Sequence, residues 1–350
     1  MLKPVPIKRE SQIDTLRGIA LFCMILANMA PYLLVTPHPL FERLIGSSAA
    51  PLFITLAGMM ASLSRYKPAH GFKYFITRGS FLIVIGCILD ATVNHVVPMA
   101  SMDVLYLIGS SLIISYPLIF IKAQWRLVLA LLVFLVTPAL QKFYGYHAIP
   151  IINTLTLSWQ NAAEIAQATL LAWGVEGYFP LFPWFGYFLI GTALGSMRWT
   201  TQGTHYFNNL PFLIFSLCLF VGGATSWIMN FTPPYIRDGY SELFYPATWS
   251  FIATSLGLIL TLFYLVDSFP NKLFYWPLQI YGKASLFIYI THATLITYVL
   301  HPLFSPQPII SFLGLYIVLC GVLLLLAWAL DKIRPQLRGA PFPVRFILGA

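Results

Sequence analysis

Five polar residues stand out in this sequence because long apolar runs surround them. Asn28 falls late in the first run, and His38 follows in Thr36–Pro–His38–Pro, between two prolines that restrict the backbone and remove amide donors. Asp90 is followed by Asn94 and His95, Asp103 opens the next run, and His292 ends the segment Tyr289–Ile–Thr–His292. Imidazole and carboxylate are groups that move protons near neutral pH. Each of these residues alone reads as readily as a hydrogen bond between helices. As a set they are costly to keep in apolar surroundings and point to a polar pocket.

The elements that carry them follow from composition. Of 350 residues, 59% are hydrophobic, 16% aromatic and only 9% charged, against about 25% charged in an ordinary soluble domain. That excludes a soluble globular protein, a disordered chain and a coiled coil. Runs of about 20 apolar residues recur along the chain, so the fold class is all-α, a polytopic membrane bundle. Ten transmembrane helices are expected, near 15–34, 45–63, 76–95, 103–121, 126–141, 180–197, 209–230, 246–267, 283–300 and 308–330. The chain reads as one integral-membrane domain over 1–350, with a core at 10–330 and a basic cytoplasmic tail at 331–350. No cleavable signal segment is evident.

Counting loops alternately from a cytoplasmic N-terminus puts 17 of the 20 Lys and Arg inside and leaves Arg43, Lys142 and Arg237 outside. This bias predicts both termini in the cytoplasm, and it explains the net charge of +9 without nucleic acid. The polar pocket then opens outward. Basic loops on the inner face suit anionic lipid or a phosphorylated ligand. Ser11–Gln–Ile–Asp14 predicts a capping box at the first helix, with Asp14 and Arg17 placed to pair. The outside stretch 142–179 predicts an interfacial helix near 158–173, with Trp159 and Trp173. The loop 231–245, with Arg237, Asp238 and Glu242 among prolines and aromatics, reads either as a binding element for a polar acceptor or, more readily, as a solvated loop with interface anchors. Cys23, Cys87, Cys218 and Cys320 sit in apolar runs without CxxC spacing, so neither a disulfide framework nor a metal site is expected. Phosphate loops, HExxH and GxSxG are missing from the sequence.

Several segments resemble a known family. Asp14–Thr–Leu–Arg17–Gly18–Ile–Ala–Leu, then Asn28, His38 and Pro51–Leu–Phe–Ile–Thr–Leu–Ala–Gly58, are similar to the start of the heparan-α-glucosaminide N-acetyltransferase catalytic domain. Phe179–Pro–Leu–Phe–Pro–Trp184–Phe–Gly–Tyr–Phe–Leu–Ile–Gly191 and Gly282–Lys–Ala–Ser285–Leu–Phe–Ile–Tyr289–Ile–Thr–His292 extend the likeness over roughly 10–330. Where the family often follows its histidine with a Trp–Asn–Gly-like stretch, this chain has Pro39–Leu–Phe–Glu42–Arg43. That departure bears on which acceptor is used.

The resemblance implies a transmembrane acyltransferase. It would take acetyl from cytoplasmic acetyl-CoA and deliver it to an amine or hydroxyl of an extracytoplasmic glycan or amino-sugar acceptor. Asn28 and His38 match the family's catalytic pair. His38 would act as base or carry the acetyl group itself, and the Asn28 amide would stabilise the oxyanion. Asp90 or Asp103 would orient an imidazole, with His292 in support. Arg17, Arg65, Lys67, Lys73 and Arg78 supply cations for the CoA phosphates. The expected location is a bacterial inner membrane, among membrane lipid, with no metal. A transporter or flippase for a polar lipid or glycan, using the same outward pocket, is the alternative.

Overall fold

Inside a bilayer, backbone amides and carbonyls must bond within the chain, and helices do this within each segment. The computed structural model describes residues 9–67, 70–155, 161–199, 207–270 and 272–349, save the side chain of Arg338. Lys3, Lys8, Trp159 and the first residues of the expected interfacial helix lie outside these. The described residues form helices and no sheet, with two isolated bridges. In order they are α1 (Ser11–Leu33), α2 (Leu40–Leu63), α3 (Phe72–Leu89), α4 (Val104–Leu118), α5 (Ala123–Tyr144), α6 (Ala162–Leu171) and α7 (Leu181–Arg198). Then come α8 (Leu210–Met229), α9 (Trp249–Ser268), α10 (Tyr275–Lys283), α11 (Ser285–Leu295), α12 (Ile309–Ile333) and α13 (Phe342–Leu348).

Among the described residues, eight helical stretches are long and apolar enough to cross a membrane. They coincide with eight of the ten expected spans, as in a multi-pass membrane protein. The other two fall on α4, of 15 residues, and on α7, of 18 residues and rich in glycine and aromatics.

Several local expectations are corrected. The capping box does not form: Glu10 holds the N-cap of α1 without a side-chain cap bond. Asp14 instead receives Arg9 Nε at 2.7 Å and Arg17 at 3.3 Å, so the expected Asp14–Arg17 pair is present. Three guanidinium bonds from two arginines to a buried carboxylate outweigh one backbone amide. The fifth span is longer than expected and runs Ala123–Tyr144. In the stretch where an interfacial helix is expected, α6 forms and is closed by a π-helical turn at Ala172–Glu176. At the end of the chain α12 continues to Ile333 and α13 covers Phe342–Leu348. The four cysteines are free thiols.

The helices gather into two compact units. The first comprises residues 54–207 and 245–249, the second 8–53, 208–244 and 250–350, and α2 contributes residues to both. Within the first, α3 packs on α4 and α5 on α7. Gly58 and Gly191 lie at the crossing of α2 and α7, where an added Cβ would run into the Phe188 and Thr55 carbonyls. Within the second, α1 packs on α10, α11 and α12. Leu21, Ile25, Met29, Tyr281, Ile288, Phe312 and Leu323 form its core. Gly18 there meets the Leu278 carbonyl and Gly282 meets that of Asp14. Glycines at crossings let backbones approach closely, as helices packed in lipid require.

This packing predicts that Gly191→Val destabilises the protein by at least about 1–3 kcal/mol, the range for overpacking. A Cβ at Gly222 has no atom within 4 Å, so Gly222→Val should be neutral. Thermal unfolding of both variants in detergent checks the contrast. Equal melting temperatures would mean that the crossing is not close-packed.

Candidate functional site

The second unit brings His38 and Asn28 each to a specific partner. After α1, the backbone bonds to the 305–308 turn: Gln307 N donates to Leu33 O at 2.8 Å, and Val35 N to Gln307 O at 3.1 Å. The chain then turns, and α2 starts two residues beyond His38. The loop 231–245, expected to be solvated, is largely exposed over 231–236, while Arg237 and residues 241–245 turn inward. Arg43 Nε donates to the Ser241 carbonyl at 2.7 Å, and Leu243 N donates to Ser47 Oγ at 2.7 Å. Its tip reverses at Asp238 and Gly239, with φ of 48° and 84°. A Cβ at Gly239 would stand 3.0 Å from that of Pro31 on α1. Polar residues do not keep the 241–245 stretch in water, because α2 offers a guanidinium and a hydroxyl to the backbone groups it must desolvate.

Around His38 the geometry is definite. The imidazole is buried, Nδ1 lies 2.8 Å from Ser241 Oγ, and Glu42 Oε2 is 4.0 Å away on the first turn of α2. Nε2 has no hydrogen-bond partner. Burial holds the His38 pKa below 6.5, with the Leu34 backbone opposing and the Arg43 cation reinforcing. Glu242, next to Ser241, is also buried, and burial pushes its carboxyl up to about 8, helped by the nearby Glu42.

Asn28 is paired with His292. His292 Nδ1 lies 3.0 Å from the Ile288 carbonyl, which can only accept, so Nδ1 carries the proton. Nε2 therefore accepts from Asn28 Nδ2, at 2.9 Å. The adjacent Ala27 meets α2 at Gly46: a Cβ there would be 3.0 Å from Ala27 Cβ and 3.7 Å from Glu42 Oε1. One helix crossing thus joins the Asn28–His292 pair to the neighbourhood of Glu42.

Asp90 and Asp103 belong to the first unit and have other duties there. Asp90 accepts from Tyr106 Oη at 2.7 Å, Asn94 Nδ2 at 3.1 Å and Met99 N at 3.2 Å, which ties a π-helical turn at Asp90–Asn94 to α4. Asp103 caps α4 by accepting from Val104 N at 2.6 Å. The expected cations divide between the units. Arg17 pairs with Asp14 in the second. In the first, Arg65 donates to the Ile119 carbonyl at 3.2 Å, Arg78 covers the Tyr74 ring at 5.0 Å, and Lys67 and Lys73 are exposed. Glu242 was noted from sequence only as one charge of the 231–245 loop, and Glu42 only within the departure from the family pattern; Ser241 carries no signal. Among the described residues, no group of three His, Cys, Asp or Glu could hold a metal ion.

Glu242 makes a prediction about pH. Its folded pKa of about 8 exceeds its ordinary 4.5, so the folded state holds a proton that the unfolded chain releases in between. Stability should fall as pH rises through that window, on the order of a few kcal/mol in all. Glu242→Gln should flatten the dependence. Thermal unfolding at about pH 5 and pH 8 measures it, and an unchanged slope in the variant would exclude Glu242 as its source.

No curated protein matches the sequence. The family model for the heparan-alpha-glucosaminide N-acetyltransferase catalytic domain matches residues 9–232. That span includes Asn28, His38 and Glu42 and ends before Ser241, Glu242 and His292, so the likeness noted at 282–292 lies beyond it. It takes in well over half of the 350 residues, and the chain therefore belongs to the heparan-alpha-glucosaminide N-acetyltransferase catalytic-domain family of membrane acetyltransferases.

Proposed function

We propose that the protein moves an acetyl group from cytoplasmic acetyl-CoA to an amine or hydroxyl of an extracytoplasmic, sugar-containing acceptor. The observation that carries this reading is the buried His38, held at Nδ1 by Ser241 while Nε2 is left without a partner. If Nδ1–H donates to the Ser241 hydroxyl, Nε2 presents a lone pair to the acceptor's proton. The low pKa of His38 keeps the imidazole neutral, hence basic, at physiological pH. Asn28 Nδ2 has a second hydrogen besides the one given to His292, and it serves as the oxyanion donor. The cations offered to the donor's phosphates on the cytoplasmic side are Arg65, Lys67, Lys73 and Arg78 of the first unit and, separately, Arg17 of the second. The chain crosses a bacterial inner membrane ten times with both termini inside, α4 and α7 serving as the shorter crossings.

Labelled acetyl-CoA, supplied to purified membranes with acceptor extracts, tests the chemistry. His38→Ala should lose at least about a hundredfold in turnover, the lower end for general acid–base catalysis. Asn28→Ala should lose a similar amount, with acetyl-CoA affinity unchanged in both. Near-normal turnover in a folded His38→Ala variant would end the assignment. Topology has its own test: in a background with the four cysteines replaced, His70→Cys and His147→Cys should label from opposite sides, position 147 from outside. Labelling of both from one side would refute ten crossings.

A further inference from the structure

One buried carboxyl, Glu42, stands 4.0 Å from the His38 imidazole, and a second, Glu242, adjoins the Ser241 that holds the ring and interacts with Glu42 and Arg43. Glu42 is 2% exposed and Glu242 is 7% exposed. Each keeps its Oε2 buried without a hydrogen-bond partner, as does His38 its Nε2. Two orphaned carboxyl oxygens and an orphaned ring nitrogen are not explained by packing, because each forfeits a bond it would have in water. Arg43, half-buried on α2, is the cation close enough to act on both carboxyls. The other facing elements bring little charge. On α1 no ionisable residue but Cys23 and Tyr32 lies between Arg17 and Leu33. His292 of α11 is taken by Asn28. Arg237 and Asp238 share the loop and are themselves engaged.

One cation cannot compensate two buried anions, and two carboxylates this deep do not ionise together. The pair therefore retains a proton. Glu42 follows His38 by one helical turn, precedes Arg43 in the chain, and has its Oε2 4.0 Å from the ring. It is the better place for the single negative charge.

We propose that Glu42 and Glu242 share one proton and act as a positioning pair for His38, with Glu42 ionised beside the ring and Glu242 neutral. Its role in turnover rests on the acyl-transfer reading; the proton sharing does not. In turnover the acceptor's proton passes to His38 Nε2 as the acceptor's electron pair forms the bond to the thioester carbon. The carbon–sulfur bond breaks, and the departing thiolate takes the proton from the imidazolium. Glu42 keeps its charge throughout and steadies the imidazolium, while a neutral Glu242 keeps a second charge away.

The test is the titration of His38 itself, by NMR of the full chain with isotope-labelled histidine in nanodiscs. The His38 signal is the one missing from His38→Ala. Glu42→Gln removes the charge and should lower the His38 midpoint by about one unit or more. Glu242→Gln removes none and should leave it in place. Equal shifts in the two variants, or an unmoved midpoint in Glu42→Gln, would overturn the proposal. Should Glu42→Gln fail to fold, Glu42→Asp retracts the carboxylate and should still shift the midpoint more than Glu242→Gln does; equal shifts would again overturn it. No acceptor or acetyl-CoA enters this measurement. A protein that shows the split but transfers no labelled acetyl loses the acyl-transfer reading and keeps the pair. A protein that transfers acetyl without the split loses the pair alone.

Discussion

A loop carrying Arg237, Asp238 and Glu242 gains little by leaving water unless its backbone is met by partners. Arg43 and Ser47 are those partners, one donating to the Ser241 carbonyl and the other accepting from Leu243 N, each at 2.7 Å. Ser47 Oγ in turn donates to the Arg43 carbonyl at 2.6 Å, so the two anchors brace one another. A guanidinium bond to a carbonyl is charge-assisted and keeps its strength away from bulk water. With residues 241 and 243 fixed, the Ser241 hydroxyl falls against His38 and Glu242 is carried into the interior between them.

Buried carboxylates elsewhere in the chain show what ordinary structural use looks like. Asp90 has three donors. Glu176 receives the amides of His147 and Ile151 and contacts the His147 ring. Both tie loops or turns to helices. Glu42 and Glu242 are also buried, yet each leaves an oxygen unbonded, Glu42 beside an imidazole that itself has an unbonded nitrogen and Glu242 next to the serine that holds that ring. The difference in bonding, rather than in burial, separates the groups that hold the fold from those that face chemistry.

Much of the helical frame was legible in the sequence, because a span about 20 residues long and apolar has few alternatives to a helix. Eight spans, the Asp14–Arg17 pair and the isolation of Asn28, His38 and His292 could all be read this way. Pairings across the chain could not. Asn28 and His292 are individually conspicuous, but no local signal joins them. Asp90 and Asp103 were conspicuous for the same reason, and it misled: a carboxylate can satisfy itself on a tyrosine or a helix N-terminus as well as on an imidazole. Ser241 and Glu242 looked like loop residues because nothing in 231–245 reveals that α2 carries the complementary donors. The stretch Pro39–Leu–Phe–Glu42–Arg43 registered only as a departure from the family pattern, yet it supplies both the carboxylate and the guanidinium nearest His38.

The bond from Asn28 to His292 spans 264 residues. At a synthesis rate of about 5–20 residues per second, roughly 13–53 s separate the emergence of the two side chains. For that interval the first helix sits in the membrane with its amide unmatched by its final partner. The site is completed only late in synthesis, when α11 arrives, so a chain truncated before it can hold most of its spans and still lack a finished Asn28. Quality control that samples membrane helices for unsatisfied polar groups therefore has a long window in which to act on this protein.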